Sequence, residues 1–273
     1  MTRKDHYYNK AKQQGYRSRA AYKLQQLDDL EGLFSTGDVV VDLGAAPGGW
    51  IQVAAERVGS GGTVVGADFQ RIDDFDPEID DRIETVRGDV TAAKTQDRIR
   101  RAIAELTGDE NEELDPSTVT ADVVLSDMAP NVSGEYSLDQ ARSLHLARTA
   151  AEIALELLGP GGNLAVKVFD GPDVDAFRAD LEAEFRYVRA TRPDATRDES
   201  SELYLLGIGR LTAPVRPGEE LDVEIVDVGS EGDGIAAVDG FRLFVPDTEP
   251  GETVTVRVED VKPNFGFAMR IEE

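Results

Sequence analysis

Val39-Val40-Val41-Asp42-Leu43-Gly44-Ala45-Ala46-Pro47-Gly48-Gly49-Trp50 runs three β-branched residues into an acid, turns through glycine, alanine and proline, and opens an amphipathic helix at Trp50. Val39 to Val41 is apolar without alternation, the pattern of a parallel strand buried on both faces. The small residues at 44–49 admit a tight turn and let backbone approach a ligand closely. Strand, glycine turn and helix in that order place a nucleotide-type site at the carboxyl end of the strand.

The glycine spacing narrows the ligand. Gly44-x-x-x-Gly48-Gly49 is neither the G-x-G-x-x-G of dinucleotide folds nor the phosphate loop G-x-x-x-x-G-K-[ST]. A nicotinamide enzyme is disfavoured on that ground. Asp42, read as part of the turn, repels a phosphate and suits a ligand with an amino group. A cationic sulfonium with a free amine and a ribose answers this description, which points to S-adenosylmethionine. Thr63 to Asp68 forms the next strand, and Asp68, 24 residues after Gly44, stands where a carboxylate accepts ribose hydroxyls. Ile83 to Asp89 makes a third strand, with Asp89 positioned for an adenine amine or simply as a turn carboxylate.

The chain has 273 residues, room for one large domain and a small one. It contains no cysteine, so disulfides, thiolate metal sites and covalent cysteine catalysis are excluded, pyrimidine C5 methylation through a cysteine adduct among them. No metal-ligand cluster stands out, and His6 and His145 are isolated. The N-terminus lacks the apolar core of a signal peptide and no run approaches a membrane span, so a cytoplasmic location is expected. Twenty-nine basic against 54 acidic residues give a net charge of −25. Such acidity fits a halophile: at ~1 M salt the Debye length is about 3 Å, and repulsion of RNA at a distance is screened.

Residues 1–24 reverse the trend. Arg3, Lys4, Lys10, Lys12, Arg17, Arg19 and Lys23 face a single acid, Asp5, and Tyr7, Tyr8, Tyr16 and Tyr22 lie among them. Cations interleaved with aromatics suit an RNA backbone and its bases. A helix follows over 19–30, with Ala20, Leu24, Leu27 and Leu30 inward. Helices are also expected over 50–58, 97–107, 138–158 and 174–185, with an acidic surface loop at 108–118. Ala121 to Ser126 is a fourth strand delivering Asp127-Met128-Ala129-Pro130. Ala129, and the lack of an aromatic after Pro130, disfavour amino-group methylation. Leu164 to Phe169 is a fifth strand with Lys167 inside an apolar run, where a lysine is rarely buried without a partner. A strand over 201–208 begins near Glu202. Seven strands in all are expected, the last two as a hairpin closing the sheet.

The runs GYRSRAAYKL (15–24), VDLGAAPGGW, SDMAP, LAVKVF and RPDATRDESSELYLL (192–206) resemble the FtsJ/RrmJ-type ribosomal RNA 2′-O-ribose methyltransferases, in order over about 3–210. The resemblance implies a Rossmann-like S-adenosylmethionine-dependent fold and a catalytic tetrad on Lys23, Asp127, Lys167 and Glu202. It implies donor contacts at Gly48, Trp50, Asp68, Asp89 and Asp127, with no metal. The implied reaction methylates the ribose 2′-hydroxyl of a uridine in large-subunit ribosomal RNA. The implied partner is that RNA or its subunit, with no membrane and no obligate protein partner. Transfer RNA is the alternative substrate, and an assembly factor with little catalysis the alternative class. A 2′-hydroxyl is a poor nucleophile and needs a base; apolar burial and the nearby ammonium of Lys23 favour a neutral amine at Lys167. Asp127 would orient that lysine, and Glu202 would hold Lys23 or the ribose.

Beyond a linker at Pro214 to Pro217, Leu221 to Ile225 alternates as a strand, and short strands with Gly/Pro turns continue to 271. That spacing reads as a small β-barrel over 214–273. It resembles a TRAM domain, which implies RNA binding. Phe241, Phe244, Phe265 and Phe267 are its candidates for stacking bases or filling the core. With five bases against 15 acids over 211–273, its charge offers RNA no attraction.

Overall fold

The computed structural model describes residues 3–108, 115–197, 199–229 and 232–271. Most of the acidic loop expected at 108–118 lies outside them. The chain divides into two compact units, Met1–Ile208 and Gly209–Glu273.

In the first unit, α1 (Arg3–Gln13) and α2 (Ala21–Glu31) precede β1 (Val39–Leu43), α3 (Gly49–Val58), β2 (Thr63–Asp68), the short α4 (Pro77–Asp80) and β3 (Ile83–Arg87). Then come α5 (Ala93–Thr107), β4 (Ala121–Ser126), α6 (Tyr136–Leu157), β5 (Leu158–Phe169), α7 (Val174–Glu182), β6 (Phe185–Thr191) and β7 (Glu202–Arg210). The strands form one seven-stranded sheet in the order β3-β2-β1-β4-β5-β7-β6. β1 runs parallel to β2 and β4, β2 to β3 and β4 to β5, while β7 is antiparallel to β5. The order reverses between β1 and β4, which opens a crevice at their carboxyl ends, where ligands bind such sheets.

Each face of the sheet carries its own core. Val41, Leu43, Val124 and Val166 pack with Ile99, Ala151 and Phe177 on one side. Val40, Val64, Val123 and Leu125 pack with Leu24, Leu27, Trp50 and Ile51 on the other. Burial on both faces explains why these strands read as unbroken apolar runs.

Three expectations are corrected. The helix expected over 174–185 ends at Glu182, because Phe185 begins β6 and packs over Gly207, where a Cβ would lie 2.8 Å from the ring. Phe185 and Val188, three apart and both buried, imitate a helical stripe. The N-terminal segment, read only as a basic arm, forms α1, anchored by buried Ala11 against Tyr22 and Ala195. Leu30, expected inward, is 39% exposed.

In the second unit, β8 (Glu220–Val228), β9 (Gly234–Val238), β10 (Phe241–Val245), β11 (Thr253–Val261) and β12 (Phe265–Arg270) close into a barrel ordered β10-β12-β11-β8-β9. Closure leaves no unpaired strand edge. Its core is Val223, Ile225, Ala236, Leu243, Val245, Val256 and Val258 with their neighbours. Phe241 joins that core, whereas Phe244, Phe265 and Phe267 cluster with ring centroids 5.5–5.9 Å apart, and Phe267 is 42% exposed.

Candidate functional site

The glycine turn after β1 is tied down by its own backbone. The N–H groups of Gly44 and Ala45 both donate to the Ala67 carbonyl, and that of Gly48 to Ala45. The N–H of Ala46 donates to Asp68 Oδ2 at 3.0 Å, while Asp68 Oδ1 accepts from Gln70 N–H at 2.7 Å. With these donors spent, the turn is no phosphate cradle. Gly44 has φ 80°, and a Cβ there would meet Met128 Cγ at 2.4 Å, so only glycine lets this turn close under the loop after β4.

A cleft of about 430 Å³ opens at the carboxyl ends of β1 to β4. Gly44, Ala46, Asp68, Phe69, Gly88, Asp89, Asp127 and Met128 are among its lining residues. Asp68 is buried; Asp89 is exposed and accepts from the Thr91 hydroxyl at 2.8 Å and the Thr91 N–H at 3.0 Å. Those two bonds, the hydroxyl's first, hold its carboxyl below the usual range. Gly48 and Trp50 stand just behind this lining. The Trp50 indole donates to the Ala20 carbonyl at 2.8 Å and packs 5.9 Å from the Tyr204 ring. Gly48, at φ 104°, faces Arg17 and Phe75, each of which would lie 2.9 Å from a Cβ.

Asp42 is not in the turn but inside β1, between Gly66 on β2 and Leu125 on β4. It is 1% exposed, and neither oxygen has a hydrogen-bond partner among the described residues. Burial first, then the charges of Asp127 and Asp68, push its carboxyl well above the usual range.

The four residues of the expected tetrad meet at one end of the sheet. Lys167 on β5 directs its ammonium to Asp127 Oδ1 at 2.9 Å and also to the Asp127 carbonyl. Lys23 is carried by α2, which Leu24 and Leu27 bury against α3. Its Nζ donates to Glu202 Oε2 at 2.7 Å and lies 3.8 Å from Asp127 Oδ1. Both lysines are 5% exposed. Burial opposes ionisation of Asp127, but Lys167, Lys23 and the Tyr204 hydroxyl outweigh it and hold the carboxyl below its ordinary value.

Tyr204 is the member that sequence reasoning missed. Its hydroxyl donates to Asp127 Oδ1 at 2.6 Å and accepts from Lys23 Nζ at 3.0 Å. A continuous chain therefore runs Lys167–Asp127–Tyr204–Lys23–Glu202. Burial, then Asp127, pushes the phenol well above its usual range, so it remains a donor. A signal was available: Tyr204 follows Glu202 by two, and strand period puts both on one face. His6 and His145 are exposed.

Residues 16–210 match the FtsJ-like methyltransferase family and residues 214–269 the TRAM domain. Proteins named ribosomal RNA large subunit methyltransferase E are similar along the whole chain. That of Natronomonas pharaonis is 59% identical over 272 residues, covering 100% of both chains. That of Haloarcula marismortui is 57% identical over 273 residues, again covering 100% of both. That of Methanosarcina mazei is 45% identical over 266 residues, covering 97% of this chain and 92% of the relative. In fold, the chain resembles a crystal structure from Plasmodium falciparum assigned by name to the ribosomal RNA methyltransferases. The TM-score is 0.59 at 24% identity, covering 71% of this chain and 98% of that one.

Proposed function

The chain belongs to the FtsJ-like methyltransferase family and carries a C-terminal TRAM domain, and on that premise we propose that it methylates the ribose 2′-hydroxyl of a uridine in large-subunit ribosomal RNA, in the cytoplasm. The observation that carries this reading is the double position of Asp127. It lines the cleft that suits the methyl donor and also holds Lys167 at 2.9 Å. Nucleophile activation and methyl delivery thus share one residue.

The cleft fits S-adenosylmethionine. Its carboxylates at the ends of β2, β3 and β4 suit a cation bearing an amine, a ribose diol and an adenine amine. Asp68 and Asp89 would hold the ribose and base, with Asp127 nearest the reacting end, while Gly48 and Trp50 support the turn from behind. When bound, the donor supplies an electrophilic methyl carbon on a sulfonium.

The chain's own residues prepare the acceptor. Lys167 Nζ receives the proton of the 2′-hydroxyl as the oxygen attacks in line, which requires that the amine first give up its own proton. That proton leaves to solvent before the attack, and the Asp127 carboxylate, bonded to Nζ at 2.9 Å, orients the free amine and steadies the ammonium that forms as the hydroxyl proton arrives. Tyr204 and Lys23 fix the Asp127 carboxylate through one oxygen, and Glu202 fixes Lys23. Holding donor and acceptor in near-attack geometry supplies much of the acceleration.

The test is tritium transfer from labelled S-adenosylmethionine to total ribosomal and transfer RNA in molar KCl, followed by alkaline digestion. Label in large-subunit RNA as alkali-resistant 2′-O-methyluridine is the expected result. Label in transfer RNA would move the substrate, and none in any RNA despite donor binding would make the protein an assembly factor.

A further inference from the structure

Val132, Tyr136 and Leu138 are large apolar side chains left exposed within one short segment, between β4 and the first turn of α6. Single exposed apolar residues are ordinary; a local concentration of them on so acidic a chain marks a binding surface. The segment starts in the donor cleft, which Asp127, Met128 and Asn131 help to line, and it ends against β5. There α6 is tied to the strand end three times. The Tyr136 hydroxyl donates to the Asp170 carbonyl at 2.9 Å, Ser143 Oγ accepts from Phe169 N–H at 3.0 Å, and Gln140 fills the space that a Cβ on Gly171 would need. The buried Asp139 carboxylate accepts from the Ser133 N–H and hydroxyl at 2.8 Å and from Gly134 N–H at 3.0 Å, which fixes the chain as it enters α6.

Tyr136 is 63% exposed, yet its backbone is helical and its hydroxyl is anchored. A ring held in this way has already given up the freedom that binding would otherwise cost. A second ring stands at the same strand end. Phe169 is two residues beyond Lys167, and strand alternation puts both on one face of β5. It lies opposite Glu202 in the pairing of β5 with β7, is half-buried, and belongs to neither of the unit's two cores.

We propose that Tyr136 and Phe169 form the platform on which the base of the acceptor nucleotide stacks. The inference rests on the RNA 2′-O reading above. In a nucleotide C2′, which carries the attacking hydroxyl, adjoins C1′, which carries the base. A hydroxyl brought to Lys167 therefore brings its base to the border of the tetrad. Toward α2 and β7 that border is polar and occupied, because Lys23, Glu202, Tyr204 and Asp127 are bonded to one another. Toward the start of α6 it is aromatic and apolar. A base has two π-faces and no net charge, and it suits the second side. Holding the base holds the ribose in line between Lys167 and the methyl carbon. Stacking does not depend on charge, so the grip survives molar salt, and it tolerates any base, so the platform positions the nucleotide without choosing it.

The test uses the full chain in molar KCl, with large-subunit ribosomal RNA from a strain lacking the gene. Tyr136→Leu removes the ring and keeps apolar bulk, whereas Tyr136→Phe keeps the ring and removes the bond to Asp170. The Leu variant, and Phe169→Leu beside it, should lose about ten-fold in kcat/KM for RNA, while Tyr136→Phe stays within about three-fold of wild type. Affinity for S-adenosylhomocysteine, by calorimetry, should hold within about two-fold, since neither ring lines the donor cleft. Equal losses in Tyr136→Phe and Tyr136→Leu would reduce Tyr136 to an anchor of α6 and overturn the proposal, as would wild-type kcat/KM in either Leu variant. Fluorescence supplies a readout apart from chemistry. In Tyr136→Trp the added indole should be quenched by RNA, against a wild type whose one tryptophan, Trp50, is buried. No quenching while filter retention shows RNA bound would overturn the platform. Quenching by RNA in which wild type places no label on ribose would keep the platform and sink the 2′-O reading instead.

Discussion

Asp127 is held from three sides, by Lys167 at 2.9 Å, Tyr204 at 2.6 Å and Lys23 at 3.8 Å, so the consequences of removing each neighbour differ. Lys167→Ala deletes the proposed base and is expected to abolish methyl transfer while donor affinity stays within about two-fold. Wild-type turnover in that variant would remove Lys167 from the mechanism. Tyr204→Phe deletes only a hydroxyl that orients Asp127; the loss of such a hydrogen bond is about 0.5–1.5 kcal/mol, or roughly a three- to ten-fold fall in kcat with KM for RNA unchanged. A rise in KM with kcat unchanged would instead show that the phenol touches substrate. Asp42 presents the opposite case, a buried carboxyl with no hydrogen-bond partner among the described residues. Its folded value lies above the unfolded value of about 3.9, so the stability it lends is complete below that pH and is lost as pH rises toward the folded value. Asp42→Asn removes that loss. The variant should melt higher than wild type at neutral pH, by on the order of 1–3 kcal/mol, with the difference shrinking as pH falls toward 4. Parallel melting profiles from pH 4 to 8 would mean that Asp42 does not titrate in the folded chain.

At the scale of elements, Arg17 fastens the segment between α1 and α2 to the donor turn. Its guanidinium donates to the carbonyls of Pro47 at 3.2 Å, Asp73 at 2.7 Å and Asp74 at 2.5 Å, and lies 3.8 Å over the Phe75 ring. Arg17 is therefore committed within the protein. Arg17→Ala should loosen the turn that carries Gly48 and weaken donor binding several-fold, with little change in RNA affinity. The reverse pattern, by calorimetry and filter retention, would return Arg17 to the RNA face. How far elements could be read from sequence follows from what each buries. The central strands declared themselves because burial on both faces makes them uniformly apolar. β6 did not, since its two buried residues are three apart, and α1 buries too little to show a period. In the site, Lys167 was legible as a lysine inside an apolar run. Lys23 and Glu202 were legible only through resemblance, because their meeting joins residues 179 apart. Tyr204, fully buried in a strand, looks like core until its hydroxyl's partners are seen.

The whole molecule must hold together at a net charge of −25. Self-repulsion of that size opposes compaction and is relieved as salt shortens the screening length to about 3 Å at ~1 M. The melting temperature should therefore climb steadily as KCl is raised from low to molar concentration; a flat or falling course would show that the carboxylates are balanced locally. The same screening weakens both the acidic surface's repulsion of RNA and the basic segment's pull on it, which places more of the affinity on contacts that do not depend on charge. Stacking on aromatic rings is of that kind and is worth about 1–3 kcal/mol per base. The barrel has the rings for it, Phe244, Phe265 and Phe267, clustered outside a core that Phe241 helps to fill. It also has a core of its own and a closed sheet, so its removal leaves the methyltransferase unit's two cores intact. A chain truncated after residue 213 should accordingly keep a cooperative melt and its donor affinity while losing roughly ten-fold in RNA affinity. Loss of folding would make the barrel a structural requirement, and unchanged RNA affinity would leave RNA binding to the methyltransferase unit.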